Sequence, residues 1–310
     1  MPVDSRLRTA GAFVTLAVVW GFSFLSIAVG LESLAPLLFA AFRYDVAAVV
    51  LLGYALVRRA DWRPTDPADA AAVVVGGVFL VSANGFLFVG QQTVPSGVAA
   101  IMQSLVPIVT SLWALALLPE ERVSTAGAVG IGLGFVGVAL VVRPDPTNLL
   151  GGDAVGRLLI LAQVTSAALG GVLIQRAKPT LDRAALSGWS MLLGGALLHA
   201  ASAGFGEAFA LPTTTVGWLA VGYLGVFATG LAFFIYYWLL ETRGALETSL
   251  VAYLVPVVAT VAGVVVLGEE ITALTVAGFG VVFLGFVLLK RRAIADLVDE
   301  IDRAVGRPGD

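Results

Sequence analysis

The chain has 310 residues, of which 59% are apolar and 13% are charged, against roughly 45–50% and 25% in ordinary soluble domains. The 18 basic and 21 acidic residues leave a net charge of −3, which excludes the basic surface of a nucleic-acid-binding protein. The absence of cysteine and the single histidine, His199, exclude disulfide frameworks, thiolate nucleophiles and the usual zinc or iron–sulfur sites, so we expect neither a metal nor a cofactor.

Apolar stretches of membrane-spanning length follow one another along most of the chain. A bilayer core of about 30 Å requires roughly 20 apolar residues per helix. Ten such stretches are present, at residues 10–29, 34–57, 69–89, 95–117, 123–142, 154–174, 186–205, 215–239, 245–267 and 272–289. We therefore predict an all-α polytopic membrane protein, with ten helices joined by connections too short to hold a soluble domain. The first stretch exceeds the 7–15 apolar residues of a signal peptide, so we expect it to remain in the protein.

Polar and aromatic side chains in the first three stretches are candidates for the wall of an internal cavity. Trp20 and Ser23 share a helix face in the first stretch, and Asn84 and Phe88 share a face in the third. The second stretch contains Arg43, whose insertion at mid-membrane costs about 2.5–3.5 kcal/mol. Two interpretations stay open for this buried charge: an anchor for an anionic substrate group, and a cap for free backbone carbonyls of a neighbouring helix.

The fourth and ninth stretches each combine a proline with a row of polar residues. In the fourth, Ser104 and Pro107 share a face beside Gln103; in the ninth, the face carries Ser249, Tyr253 and Pro256. Such faces are costly against lipid, so we expect them to point into the protein. Each proline removes a backbone donor, which predicts either a hinge or a plain packing kink.

Three other stretches complete the set of candidates. Gln163 in the sixth and Tyr236 in the eighth add an amide and a phenol to the predicted cavity. In the fifth, Gly132, Gly134 and Gly137 match a dinucleotide-binding fingerprint letter for letter, but no strand precedes them. We interpret these glycines as a helix-packing surface.

Basic residues in the connections indicate the orientation. If the N-terminus is cytoplasmic, fifteen of the 18 basic residues fall on the cytoplasmic side and only Arg143 and Arg157 on the other. We therefore predict that both termini are cytoplasmic. After Lys290, apolar residues recur at helical spacing among acidic ones, which predicts a short surface helix.

The two halves of the chain repeat each other at a shift of 149 residues. The Leu-Val-Pro of 105–107 recurs at 254–256, and Glu120 and Glu121 recur as Glu269 and Glu270. Five stretches per copy is an odd number, so the second copy enters the membrane from the opposite side. We predict inverted repeats at 1–148 and 149–290, followed by a cytoplasmic tail at 291–310. Inverted repeats are typical of secondary transporters.

These features together resemble the EamA-type members of the drug/metabolite transporter superfamily. The resemblance rests on Trp20-Gly21, on Arg43 between Phe42 and Tyr44, on the two proline-containing stretches and on their Leu-x-Glu-Glu endings. It implies a ten-helix bundle with a central cavity lined mainly by the first, third, fourth, sixth, eighth and ninth helices. It also implies export or exchange of small metabolites such as amino acids.

The sequence accordingly predicts a transporter of the plasma membrane that works by alternating access, as a monomer or homodimer, with a small-molecule substrate and the lipid bilayer as partners. Two alternatives stay open. One is a facilitative channel or a lipid-moving protein. The other is an intramembrane enzyme, which would require a nucleophile with its base or a metal site.

Overall fold

The computed structural model is a bundle of helices and describes residues 3–58, 61–118, 124–142, 153–289 and 291. Within these residues it contains ten membrane-length or shorter apolar helices. We number them α1 (Val3–Gly30), α2 (Pro36–Val57), α3 (Pro67–Gly90), α4 (Ser96–Leu117), α5 (Thr125–Val142), α6 (Ala154–Ala177), α7 (Arg183–Gly204), α8 (Thr215–Gly222, Tyr223–Leu231 and Ala232–Ser249), α9 (Val251–Leu267) and α10 (Ala273–Leu289).

Seven of these helices are long and apolar enough to cross a membrane, and α5, α9 and α10 are shorter apolar helices. Large apolar side chains cover much of the outside of the bundle; Val49 and Val265, for example, are 74% and 77% exposed. A surface this apolar is stable in contact with lipid and not with water. The prediction of a ten-helix, multi-pass membrane protein is thus confirmed.

The boundary between the eighth and ninth helices differs from the prediction. We predicted a connection near residues 240–244, but the backbone stays helical from Ala232 to Ser249. The helix is interrupted at Leu250 instead. Gly244 is the only helix-weakening residue in that connection and no proline occurs there, so helical hydrogen bonding continues through it. The predicted tail helix and the Glu120–Glu121 pair lie outside the described residues.

Among the described residues, three helices contain π-helical segments, and α4 is interrupted. The π segments are Gly76–Ser82 in α3, Tyr223–Leu231 in α8 and Gly263–Leu267 in α9. Helix α4 has a break at residues 104–105, directly before Pro107, which separates Ser96–Gln103 from Val106–Leu117. Such irregularities leave backbone carbonyls without their usual helical donor and are frequent at functional sites.

Glycines allow close packing between α5 and α10. A Cβ atom at Gly130 would lie 2.4 Å from the carbonyl oxygen of Gly285, and one at Gly137 would lie 2.7 Å from that of Gly278. A Cβ atom at Gly134 would meet Ile108 of α4 at 2.5 Å, whereas Gly132 faces open space. Gly130, Gly134 and Gly137 therefore form a helix-packing surface, as predicted for glycines within an apolar helix, but Gly132 does not belong to it because it lies on another face of α5.

Carboxylates from distant segments bind backbone N–H groups where three helices begin. Asp69 accepts hydrogen bonds from the Thr180 and Leu181 amides, before α7, at 2.7 and 3.0 Å. Glu207 accepts from the Leu37 and Leu38 amides in the first turn of α2. Glu269 accepts from the first two amides of α4. Helix starts carry unpaired N–H groups and partial positive charge, so Glu207 and Glu269 stabilise the helix starts that they contact. Asp69 instead holds the segment that precedes α7, whose first turn is capped by Asp182.

Candidate functional site

A cavity of about 600 Å³ lies at the centre of the bundle. Among the described residues, its wall is built from α1, α2, α3, α4, α6, α7, α8 and α9. Its polar wall residues are Trp20, Ser23, Arg43, Tyr44, Asn84, Gln103, Gln163, Ser187, Ser190, Thr229, Tyr236 and Thr248. Much of the remaining wall is apolar, including Leu80, Val106, Met191 and Phe233. This combination, an apolar cavity with a few placed polar groups, is characteristic of small-molecule sites.

The structure brings together most of the residues that were singled out in the sequence. Trp20, Ser23, Asn84, Gln103, Gln163 and Tyr236 line the cavity, as do Pro107 and Arg43. Helices α2 and α7 also contribute to the wall, in addition to the six helices that the resemblance implied. The residues come from both halves of the chain, so no single half contains the site.

Other candidates lie outside the cavity wall. Phe88 is fully buried and packs edge-on against Phe39, with ring centroids 5.2 Å apart. Ser104 is fully buried and donates to the carbonyl of Ile101. Tyr253 packs against Phe286, with centroids 4.6 Å apart. The side chain of Ser249 lies outside the described residues.

The two prolines have different surroundings. Pro107 lines the cavity just after the break in α4, and both predicted roles, a hinge and a packing kink, are compatible with that position. Pro256 lies inside the continuous segment Val251–Ala262 and faces a separate apolar cavity of about 170 Å³. The irregular points of α9 are the break at Leu250 and the π segment Gly263–Leu267, not Pro256 itself.

Side chains from α1 and α6 donate hydrogen bonds to backbone carbonyls of the π segments in α8 and α3. The Trp20 indole N–H donates to the Ala228 carbonyl at 3.1 Å, and the Ser166 hydroxyl donates to the Phe79 carbonyl at 2.9 Å. Positions 79 and 228 are separated by the same 149 residues as the sequence repeat. Trp20 also contacts Tyr236, with ring centroids 5.7 Å apart. The indole is thereby held in place on the cavity wall.

The amides of Gln103 and Gln163 join α4 to α6. The Gln103 amide donates to the side-chain oxygen of Gln163, so one amide of the pair orients the other. Asn84 differs, because its side-chain oxygen is buried and receives no hydrogen bond from any described residue. A buried acceptor of this kind is costly unless a ligand or water supplies the donor.

Arg43 is a cation in the cavity wall. Its Nε atom donates to the Thr229 hydroxyl at 3.1 Å. Its guanidinium carbon lies 5.2 Å from the centre of the Tyr44 ring and 6.0 Å from that of Phe88. Among the described residues, no carboxylate lies within 4 Å of it. The adjacent Asp45 faces another side of α2 and contacts His199 of α7 at 2.8 Å, away from the cavity.

The cavity is displaced toward one end of the bundle. Its wall reaches Ile174 near the end of α6, Leu186 in the first turn of α7 and Thr248 near the end of α8. In the opposite direction the wall stops at Phe24, Leu87 and Ala100. The end that the cavity approaches is the one that carries the basic residues Arg58, Arg63, Arg176, Lys178 and Arg183.

A polar cluster lies at the other end of the bundle. Glu269 accepts hydrogen bonds from the Ser96 and Gly97 amides at 2.8 and 3.3 Å. The Gln91 amide donates to the Phe24 carbonyl at 3.1 Å, so α3 is joined to α1 at the same level. Gly263 permits the approach, because a Cβ atom there would lie 2.2 Å from a Glu269 oxygen.

Sequence reasoning missed several groups on the cavity wall and in the polar cluster at the other end of the bundle. Ser187, Ser190 and Thr229 are isolated small polar residues without a helical stripe, so no pattern marked them. Glu269 was noticed only as a residue at a helix end, where solvation was the simpler interpretation. Its partners are backbone amides, which have no sequence signature.

Comparison with known proteins places this arrangement among transporters. Residues 8–143 and 154–291 each match the EamA-like transporter family. An uncharacterized inner membrane transporter of Escherichia coli, YedA, is 32% identical over 281 residues, which are 90% of this chain and 89% of that protein. An uncharacterized transporter of Archaeoglobus fulgidus is 28% identical over 283 residues, which cover 88% and 95% of the two chains. One solved crystal structure shares the fold with a TM-score of 0.65 at 21% identity, covering 92% of this chain and 98% of that one.

Proposed function

The chain belongs to the EamA-like transporter family, and on this premise we propose that it is a secondary transporter which exports or exchanges a small organic metabolite by alternating access. Amino acids and their derivatives are the leading substrate class. The observation that carries the proposal is the cavity of about 600 Å³, built from both halves of the chain and displaced toward one end of the bundle. A carrier requires a site of this kind, which one conformation exposes to one side only.

We assign this conformation as inward-facing. The cavity approaches the end that carries Arg58, Arg176 and Arg183, and the excess of basic residues marks the cytoplasmic side. The opposite, outer end is closed, and Glu269 contributes to the closure. Release to the outside then requires this contact to open and the cytoplasmic end to close.

Two inverted five-helix repeats, 1–148 and 149–290, account for how one end of the bundle can open while the other closes. Two separate stretches of the chain match the same family. The helix contacts follow the same repeat. Each helix of the first half corresponds to the helix five places later in the second half, so the contact of α1 with α9 corresponds to that of α6 with α4. The contact of α3 with α7 becomes that of α8 with α2, and the π segments of α3 and α8 also correspond.

The inverted arrangement predicts the sidedness of two connections. Cysteines introduced at Arg63 and at Arg183, in separate variants, are expected to react with a membrane-impermeant thiol reagent only in inverted vesicles, since both positions are predicted to be cytoplasmic. A cysteine at Ala208, which is exposed in the connection after α7, is the control that should react from the opposite side. Labelling of positions 63 and 183 from opposite sides would contradict the repeat model.

Counterflow in proteoliposomes tests the transport function. Purified protein is reconstituted into vesicles loaded with a pool of unlabelled amino acids, and labelled members of the pool are added outside, with and without a pH gradient. We expect saturable, transient accumulation of at least one member, because a carrier exchanges solute through an alternating site. Flux that increases linearly with concentration would contradict a carrier and favour a channel. Protein-free vesicles supply the background.

A further inference from the structure

Among the residues that the structure describes, no carboxylate balances the charge of Arg43. Its Nε atom bonds to Thr229, and aromatic rings of Tyr44 and Phe88 flank the guanidinium. These contacts leave the two terminal nitrogens of the guanidinium without a hydrogen-bond acceptor among the described residues. The structural alternative, in which arginine caps backbone carbonyls of a neighbouring helix, is not seen in these contacts. A cation in an apolar wall is costly unless an anion or water reaches it.

Because Thr229 bonds only to Nε, the side of the guanidinium that carries the two terminal nitrogens is left for a ligand. Thr229 binds Nε and is itself held by a bond of 2.8 Å to the Leu224 carbonyl in the π segment of α8. The side chain is thus fixed at Nε and flanked by rings on α2 and α3. The two Nη atoms present parallel N–H donors, an arrangement that matches the two oxygens of a carboxylate.

Asn84 supplies a second unsatisfied group on the same wall. It lies one helical turn before Phe88 on α3, so its side chain shares the face of α3 that Arg43 approaches. Its side chain contacts the Tyr44 hydroxyl, but no described residue donates a hydrogen bond to its buried oxygen. An unpaired acceptor and an unbalanced cation in one cavity are complementary to a solute that carries both an anion and a hydrogen-bond donor.

We propose that Arg43 binds the carboxylate of the transported solute through its terminal nitrogens, while Asn84 accepts a hydrogen bond from a donor group of the same solute. This inference rests on the proposed transport function and narrows its substrate class to small carboxylates that carry an N–H or O–H donor. The apolar remainder of the cavity holds the rest of the molecule. Arg43 is then a specificity-determining residue.

Matched sets of compounds test the assignment. Valine, leucine and phenylalanine are each compared with the corresponding carboxamide and with the amine that lacks the carboxyl group. Each compound is added to the purified protein for thermal-shift measurement, and as a competitor in the counterflow assay. We expect the free acids to stabilise and compete at least about tenfold better than their carboxamides and amines, since loss of one partner of a buried charge pair costs at least that factor.

Variants of Arg43 separate binding from stability. Arg43→Gln is expected to reduce the preference for acid over carboxamide to near unity, and Arg43→Lys is expected to restore part of it. Arg58→Gln on the same helix is the control, because Arg58 is exposed at the end of α2. Asn84→Leu should weaken the binding of the free acids relative to the same acids without their amino group. The melting temperature of each ligand-free variant reports any folding defect separately.

Several outcomes would overturn the assignment. Equal stabilisation by acids, carboxamides and amines, no stabilisation by any of the acids at millimolar concentration, or an unchanged acid preference in Arg43→Gln, would each contradict the carboxylate contact. If a solute without a carboxylate shows saturable counterflow that Arg43→Gln does not alter, the carrier function stands and the anchor is wrong. Absence of counterflow for every pooled metabolite would contradict the carrier function instead.

Discussion

Replacing Glu269 with glutamine is expected to expose the cavity to the outer side of the membrane. The carboxylate binds the Ser96 and Gly97 amides at the start of α4, and it belongs to the segment that follows α9. Hydrogen bonds to a charged group contribute roughly 1.5–3 kcal/mol each, and the neutral amide retains only part of this. A loss of about 1.4 kcal/mol shifts the equilibrium between closed and open forms tenfold, so we expect at least that increase in outer access.

A single cysteine makes this change measurable. The natural chain contains no cysteine, so Ala100→Cys introduces one reactive thiol without any prior substitution. Ala100 is fully buried and belongs to the cavity wall in the first turns of α4. We expect an impermeant thiol reagent added to intact cells to label Ala100→Cys slowly, and to label the double variant with Glu269→Gln at least about tenfold faster.

The neighbouring carboxylate provides the control for the Glu269 experiment. Glu270 is exposed, and no hydrogen bond joins its side chain to a described residue, so Glu270→Gln removes the same charge without removing the contact. Unchanged labelling in Glu270→Gln together with faster labelling in Glu269→Gln would assign the effect to the bonded carboxylate. Equal labelling rates in both variants would contradict a role of Glu269 in the closure.

Replacing Gly285 with leucine is expected to separate α5 from α10 and to cause a large loss of stability. A Cβ atom at Gly285 would lie 2.5 Å from the Gly130 carbonyl oxygen and 2.8 Å from the Gly134 amide nitrogen. The obstacle is backbone, which cannot move aside as a flexible side chain can. Overpacking of protein interiors costs roughly 1–3 kcal/mol, and a close backbone contact belongs at or above the upper end of that range.

Thermal unfolding of the purified protein in detergent, followed by tryptophan fluorescence, measures the effect of Gly285→Leu. Gly280→Leu on the same helix is the matched control, since a Cβ atom at Gly280 meets nothing within 4 Å and the residue is exposed. We expect a lower melting temperature for Gly285→Leu and little change for Gly280→Leu. Equal stability of the two variants would show that the close contact between α5 and α10 does not stabilise the bundle.

Much of the cavity could be predicted from the sequence because burying a polar group in a membrane helix is costly. Trp20, Asn84, Gln103 and Gln163 stand out against apolar neighbours for that reason, and all four line the cavity. The same reasoning cannot distinguish a cavity from a helix contact. Ser104 is polar and inward-facing, yet its hydroxyl is satisfied by a carbonyl of its own helix.

Hydropathy and the spacing of prolines, glycines and acidic residues along the chain determined the ten helices and the repeat at a shift of 149 residues, since the bilayer demands a fixed length of apolar helix. Only the tertiary structure decided that Arg43 faces Thr229, that Glu269 binds the start of α4, and that the π segments of α3 and α8 receive donors from α6 and α1. Many of these contacts join side chains to backbone groups of distant helices. Backbone groups are the same at every position, so their partners emerge only when packing brings the helices together.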